Sequence, residues 1–187
     1  MLNLDPRSTA LILIDLQDGI VSMAEAPRSG DEVVKAAKAL AMRFREAGAP
    51  VVLVHVEFSR ANMPSQKVDK PGIPLEGTPP EFSRLVRGLE KEDDIVVLKH
   101  HWGAFTGTDL DLQLRRRGCH TVVIGGIATN MGVESTARSA WELSYDVVIA
   151  EDVTATASED MHLLAIENIL PRLARIVSST DIRFGTD

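Results

Sequence analysis

Cysteine is nearly absent from this chain. Cys119 stands alone among 187 residues, which excludes an intrachain disulfide and a thiolate metal cluster. Positive charge is also in deficit: 20 Lys and Arg face 27 Asp and Glu, leaving a net charge of -7. No cationic surplus exists to meet nucleic-acid phosphates or an anionic membrane. Long apolar runs are missing too, and none approaches the ~20 residues of a membrane-spanning helix. The opening Met-Leu-Asn-Leu-Asp-Pro-Arg lacks the basic-then-apolar pattern of a secretory signal. These absences predict a cytoplasmic protein with neither a nucleic-acid nor a membrane partner.

What is present suits one compact domain over residues 1–187, with 44% hydrophobic and 25% charged residues. Apolar runs rich in Val and Ile recur at Ala10–Ile14, Val51–Val56, Ile95–Leu98, Val122–Ile127, Val147–Ala150 and Ala174–Val177. They do not alternate with polar residues, as expected of parallel strands buried on both faces. Helical patterns lie between them. Ser29-Gly-Asp-Glu32 reads as a capping box, followed by Val33, Ala37, Leu40, Phe44 and Ala47 on one face and Gly48 as the stop. Thr108–Arg117 gives a shorter helix closed by Gly118. Val133, Ala137, Ala140 and Trp141 mark a third, and Thr156-Ala-Ser-Glu159 opens a fourth that runs to about Leu170. The expected fold is α/β: a three-layer α/β/α, doubly wound, Rossmann-like arrangement on a six-stranded parallel sheet of order 3-2-1-4-5-6. Ser59–Pro80, with Pro64, Pro71, Pro74, Pro79, Pro80, Gly72 and Gly77, reads as a long loop serving as a lid or a subunit contact.

Ligands of such sheets lie beyond the carboxyl ends of the strands. Asp15 closes the first run and Lys99 the third, and together they form either a structural ion pair or catalytic partners. The fourth run passes through Gly-Gly-Ile-Ala-Thr-Asn-Met-Gly into a helix, with Gly132 inside its first turn. A glycine there costs about 1 kcal/mol of helix stability relative to alanine, and it leaves bare backbone where a helix start favours an anion. Gln17 shares a strand face with Asp15 if the strand continues, and Trp102 and Phe105 are positioned to wall a pocket. His55, Glu57, His100 and His101 are the residues from which a metal site would be drawn, but a hydrogen-bonded strand histidine is the simpler reading, so no metal is expected. Cys119 precedes the fourth run, away from the site, and reads as a buried small hydrophobe. Arg138 reads as an ion-pair former, and Arg115–Arg117 as a solvated face at a helix end.

Three blocks carry a family resemblance. Thr-Ala-Leu-Ile-Leu-Ile-Asp-Leu-Gln (Thr9–Gln17), Lys-His-His-Trp-Gly-Ala-Phe-Thr-Gly-Thr-Asp-Leu from Lys99 with Leu114-Arg-Arg-Arg-Gly, and Gly126-Ile-Ala-Thr-Asn through Glu134-Ser-Thr-Ala-Arg-Ser-Ala together resemble the isochorismatase-like (cysteine hydrolase) superfamily. The blocks come in family order and span nearly the whole chain. In amidase members a nucleophilic cysteine lies two residues after the Thr-Asn pair. That position is Gly132 here, so the resemblance implies a chain without covalent thiol catalysis. Isochorismatases with glycine at this position offer the precedent. An acid protonates the enol-ether methylene, water adds to the oxocarbenium ion, and the hemiketal collapses to pyruvate and a dihydrodiol.

Transferred residue by residue, Asp15 is the general acid and Lys99 binds a substrate carboxylate and orients the aspartate. Gln17, Trp102, Ile127, Ala128 and Asn130 touch a small anionic substrate. The resemblance also implies a cis peptide at Ile127–Ala128, no cofactor, and a homodimer or homotetramer. A neighbouring ammonium lowers an aspartate pKa, which opposes proton donation, whereas burial raises it. Two alternatives stay open: an inactive binding or interaction protein on the same fold, and an amidase-type relative that has lost its nucleophile.

Overall fold

The computed structural model describes residues 1–59, 66–74 and 76–185. Among them the strands are β1 (Leu2–Leu4), β2 (Thr9–Ile14), β3 (Val51–Val56), β4 (Ile95–Lys99), β5 (Thr121–Ile127), β6 (Asp146–Ala155), β7 (Arg175–Val177) and β8 (Ile182–Phe184). The helices are α1 (Asp18–Val21), α2 (Gly30–Glu46), α3 (Leu110–Arg116), α4 (Glu134–Glu142) and α5 (Glu159–Leu163). Six strands form one parallel sheet in the order β4-β3-β2-β5-β6-β7. Counted along those six strands alone, this is the expected 3-2-1-4-5-6 order. β1 and β8, which the sequence does not announce, pair in parallel as a separate ribbon.

β2 shows why the apolar runs lack alternation. All of its residues are buried, and successive side chains enter opposite layers. Leu11 and Leu13 join Val33, Ala37, Leu40 and Phe44 of α2 on one side. Ala10, Ile12 and Ile14 join Leu110, Leu114, Val133, Ala137 and Ala140 on the other. The α2 capping box forms as expected, with Glu32 N–H donating to the Ser29 hydroxyl and the Glu32 carboxylate accepting from Ser29 N–H. Gly48, at φ +75°, takes the left-handed conformation that ends the helix. Phe44 is fully buried and meets Phe184 edge-on at 4.8 Å, which ties β8 to the core. No helix of the described residues is long and apolar enough to cross a membrane.

Three local expectations are corrected. The fourth helix begins at Ser158, whose hydroxyl accepts from Met161 N–H, while Thr156 bridges Ala26 and bonds Asn130 instead. β6 runs on to Ala155 through a register shift, with Ile124 opposite Ile149 but Gly126 opposite Thr154. The extra residues on β6 turn Glu151 and Asp152 out of the ladder, as a bulge does. Gly132 lies not in the first turn of α4 but in a π-helical turn, Thr129–Val133, that precedes it. Residues 60–65 and 75 of the expected lid segment lie outside the described residues.

Candidate active site

Asp15 leaves the end of β2 at φ +50°, a left-handed conformation uncommon outside glycine and best tolerated by Asn and Asp. Lys99 ends β4, and β3 lies between the two strands. The long lysine side chain reaches over the end of β3 and places Nζ 2.8 Å from Asp15 Oδ2, donating also to the His101 carbonyl at 3.1 Å. Both residues are buried, Asp15 at 6% and Lys99 at 3% exposure. The second carboxylate oxygen, Oδ1, is buried with no hydrogen-bond partner among the described residues. An unsatisfied carboxylate oxygen is costly while ionised. Burial accordingly raises the Asp15 pKa to about 6, outweighing the opposing pull of the Lys99 ammonium.

Gly132 faces this pair. A Cβ built on it would lie 3.3 Å from Asp15 Oδ2, 3.6 Å from the Trp102 carbonyl oxygen and 2.8 Å from Ile14 Cγ2. The last contact is too short, so any side chain at 132 requires Ile14 to move. The turn itself is closely held. Met131 and Val133 N–H both donate to the Ala128 carbonyl, at 3.1 and 3.2 Å, and the Ile127–Ala128 peptide is cis. Gly126 permits the approach beneath: at φ +121°, a Cβ there would meet the Ile14 carbonyl oxygen at 2.1 Å. Thr136 Oγ1 donates to the Gly132 carbonyl at 2.7 Å and accepts from Ala104 N–H at 3.1 Å. That hydroxyl couples the Gly132 turn to the segment that follows Lys99.

Other expected site residues fall elsewhere. Gln17 is fully buried, and its amide donates to Val56 O (2.7 Å) and Ser83 O (2.8 Å) and accepts from Val56 N–H (2.9 Å). It braces the end of β3 rather than facing a ligand. The left-handed turn at Asp15 breaks the alternation that put Gln17 on the Asp15 face. Trp102 presents its carbonyl to Gly132, and the residue is 61% exposed. Phe105 packs against Tyr145 with ring centroids 5.6 Å apart, as core. Ile127, the last residue of β5, is buried, and Ala128, which precedes the turn, is half-buried. Asn130 Oδ1 accepts from Thr156 Oγ1 at 2.6 Å. Arg138 pairs with Glu134 at 2.9 Å, Arg115 lies over the Tyr145 ring, and Cys119 is buried. Among the described residues, no three His, Cys, Asp or Glu side chains converge as a metal site.

A set of residues that the sequence did not announce adjoins the turn. Thr129 Oγ1 lies 3.0 Å from His162 Nδ1, and His162 Nε2 lies 3.0 Å from Glu151 Oε1. Arg28 donates to the same Glu151 oxygen at 2.7 Å and to the Glu151 and Thr154 carbonyls. The His162 hydrogen bond and Arg28 hold the Glu151 pKa down to about 2, so this carboxylate is ionised. The available signals were a glutamate interrupting the apolar β6 run and a lone histidine in the helix after it.

Comparison with known proteins gives a consistent picture. A family model described as the isochorismatase domain matches residues 9–181. The chain is similar to the uncharacterised isochorismatase family protein YecD of Escherichia coli O157:H7, 49% identical over 97% of this chain and 98% of that protein. It is also similar to an Arabidopsis thaliana protein named probable inactive nicotinamidase, 30% identical over 87% of this chain and 90% of that one. The solved structure of an isochorismatase family protein from Burkholderia thailandensis superposes with a TM-score of 0.90. The two are 44% identical over 96% of this chain and 95% of the other.

Proposed function

The chain belongs to the isochorismatase family, and from that premise we propose that it is a hydrolase of a small anionic substrate, with an isochorismate-type vinyl ether as the best candidate. The observation that carries the reading is the buried Asp15 carboxyl: Oδ2 is held by Lys99 and faces Gly132, and Oδ1 has no hydrogen-bond partner among the described residues. The acid proton then resides on Oδ1, which no donor among the described residues contests, and it is delivered from there to the substrate methylene. A pKa near 6 keeps a working fraction of the acid form at neutral pH. Lys99 keeps its place on Oδ2 and attracts a substrate carboxylate. Water supplies the nucleophile, and loss of the hemiketal releases pyruvate. No step needs a sulfur atom at position 132.

The methyl group of Ile14 bears on the amidase alternative. A chain that had lost only a cysteine would keep room for its Cβ, whereas here Ile14 Cγ2 lies 2.8 Å from that point. The resemblance to a protein named probable inactive nicotinamidase favours a second reading, a binding protein on the same fold. Pyruvate release from isochorismate, followed with lactate dehydrogenase, separates the two. Turnover by the purified protein is the expected result. Its absence, with isochorismate still raising the melting temperature, would favour the binding protein.

A further inference from the structure

We propose that His162 is a positioning residue: it holds the Thr129–Gly132 turn against Asp15 through the Thr129 hydroxyl, and Glu151 sets the imidazole tautomer that makes this bond. The inference rests on the Asp15, Lys99 and Gly132 site being the working one.

The argument starts from hydrogen-bonding capacity. Glu151 is ionised and already accepts from Arg28, so it offers only lone pairs to His162 Nε2. Nε2 must therefore carry a proton. In the neutral ring this makes Nδ1 an acceptor, and among the described residues the group that meets it is the Thr129 hydroxyl, at 3.0 Å. Thr129 Oγ1 then donates, and its direction is fixed. Thr129 and His162 are both buried, at 0% and 2% exposure, so water does not replace either partner. The chain of bonds runs from Arg28, before α2, through Glu151 on the β6 bulge and His162 on α5, to the first residue of the turn. Three separate elements thereby fix one five-residue turn, and that turn carries the glycine packed on Asp15.

The consequence for Asp15 is direct. The turn packs on the Asp15 carboxyl, with Oδ2 3.3 Å from where a Gly132 Cβ would lie, and so belongs to the packing that buries this carboxyl and its Oδ1. A looser turn admits water to that oxygen and weakens the burial that raises the Asp15 pKa.

The test needs no substrate, so it answers even if the chain hydrolyses nothing. In protein labelled with 13C-aspartate, the Asp15 carboxyl titration is followed by NMR in the wild type, His162→Phe and Thr129→Val. Amide exchange is read at Met131–Val133 and in β2. The midpoint is expected to fall by about half a unit or more in each variant, with exchange in the turn rising roughly tenfold and β2 protection kept. Thr129→Val loses only a hydroxyl and serves if His162→Phe does not fold. In 15N-histidine spectra, wild-type His162 is expected as the Nε2–H form, and Glu151→Gln as a mixture that includes Nδ1–H. An unchanged Asp15 midpoint in folded Thr129→Val would overturn the proposal. So would a rise in exchange that is uniform across β2 and the turn, or an Nδ1–H wild type.

Discussion

Asp15 sits between two opposing forces: Lys99 stabilises the carboxylate, and burial with an unpartnered Oδ1 destabilises it. Burial wins, and the sign sets a pH dependence. A carboxyl whose folded pKa is raised from 3.8 to about 6 contributes stability fully below the unfolded value, and loses it as pH climbs through the folded one. Melting temperature should therefore decline between about pH 4 and pH 6 by an increment that Asp15→Asn removes. The same substitution strips the Lys99 ammonium of its counterion. Because the raised pKa makes the ionised pair less favourable than a neutral acid beside Lys99, Asp15→Asn should be no less stable than wild type at neutral pH, and Lys99→Met added to it, which removes the buried ammonium left without a carboxylate, should be more stable still. Urea denaturation of the wild type and the two variants checks this. At Gly132 the obstacle to a side chain is Ile14. Gly132→Ala should lose about 1–3 kcal/mol through overpacking, against a helix-propensity gain of about 1 kcal/mol. Ile14→Ala in the same chain should restore part of that loss, seen as coupling in a double-mutant cycle. Strict additivity would mean that Ile14 does not close the space.

At the scale of elements, legibility followed burial. β2, β3 and β5 could be read because strands buried on both faces become unbroken apolar runs, and the α2 cap because its residues are local neighbours. Asp15 and Lys99 were visible as charges closing such runs. Gln17 was misplaced because strand alternation does not survive a left-handed residue, and the positive φ of Asp15 is a property of the folded turn. The link from Thr129 to His162 and Glu151 was hidden for a related reason. It depends on the β6 register shift, which no periodicity in the sequence records. β1 and β8, of three residues each, are too short to carry a pattern, and they meet only because the chain ends converge. Gln17→Ala should cost about 1–3 kcal/mol, since it leaves the buried Val56 amide N–H and C=O without their partner. Phe44→Ala should cost about 3–5 kcal/mol and loosen β8 with the core. Thermal denaturation of each variant gives the comparison.

Across the whole molecule, a doubly wound sheet gathers residues that are distant in sequence at the carboxyl ends of its strands. Asp15 from β2, Lys99 from β4 and the turn after β5 meet there, although β3 separates β2 from β4. Two grooves, of about 730 Å³ between Trp141 and Arg175 and about 350 Å³ beside Asp18 and Gly30, contain none of Asp15, Lys99 or Gly132. The decisive measurement is the pH dependence of kcat/KM for pyruvate release from isochorismate, in wild type and in Asp15→Asn. The wild-type rate should fall as pH rises through about 6, and the variant should be at least ~100-fold slower and lack this limb. Full activity in Asp15→Asn, with the limb unchanged, would contradict it.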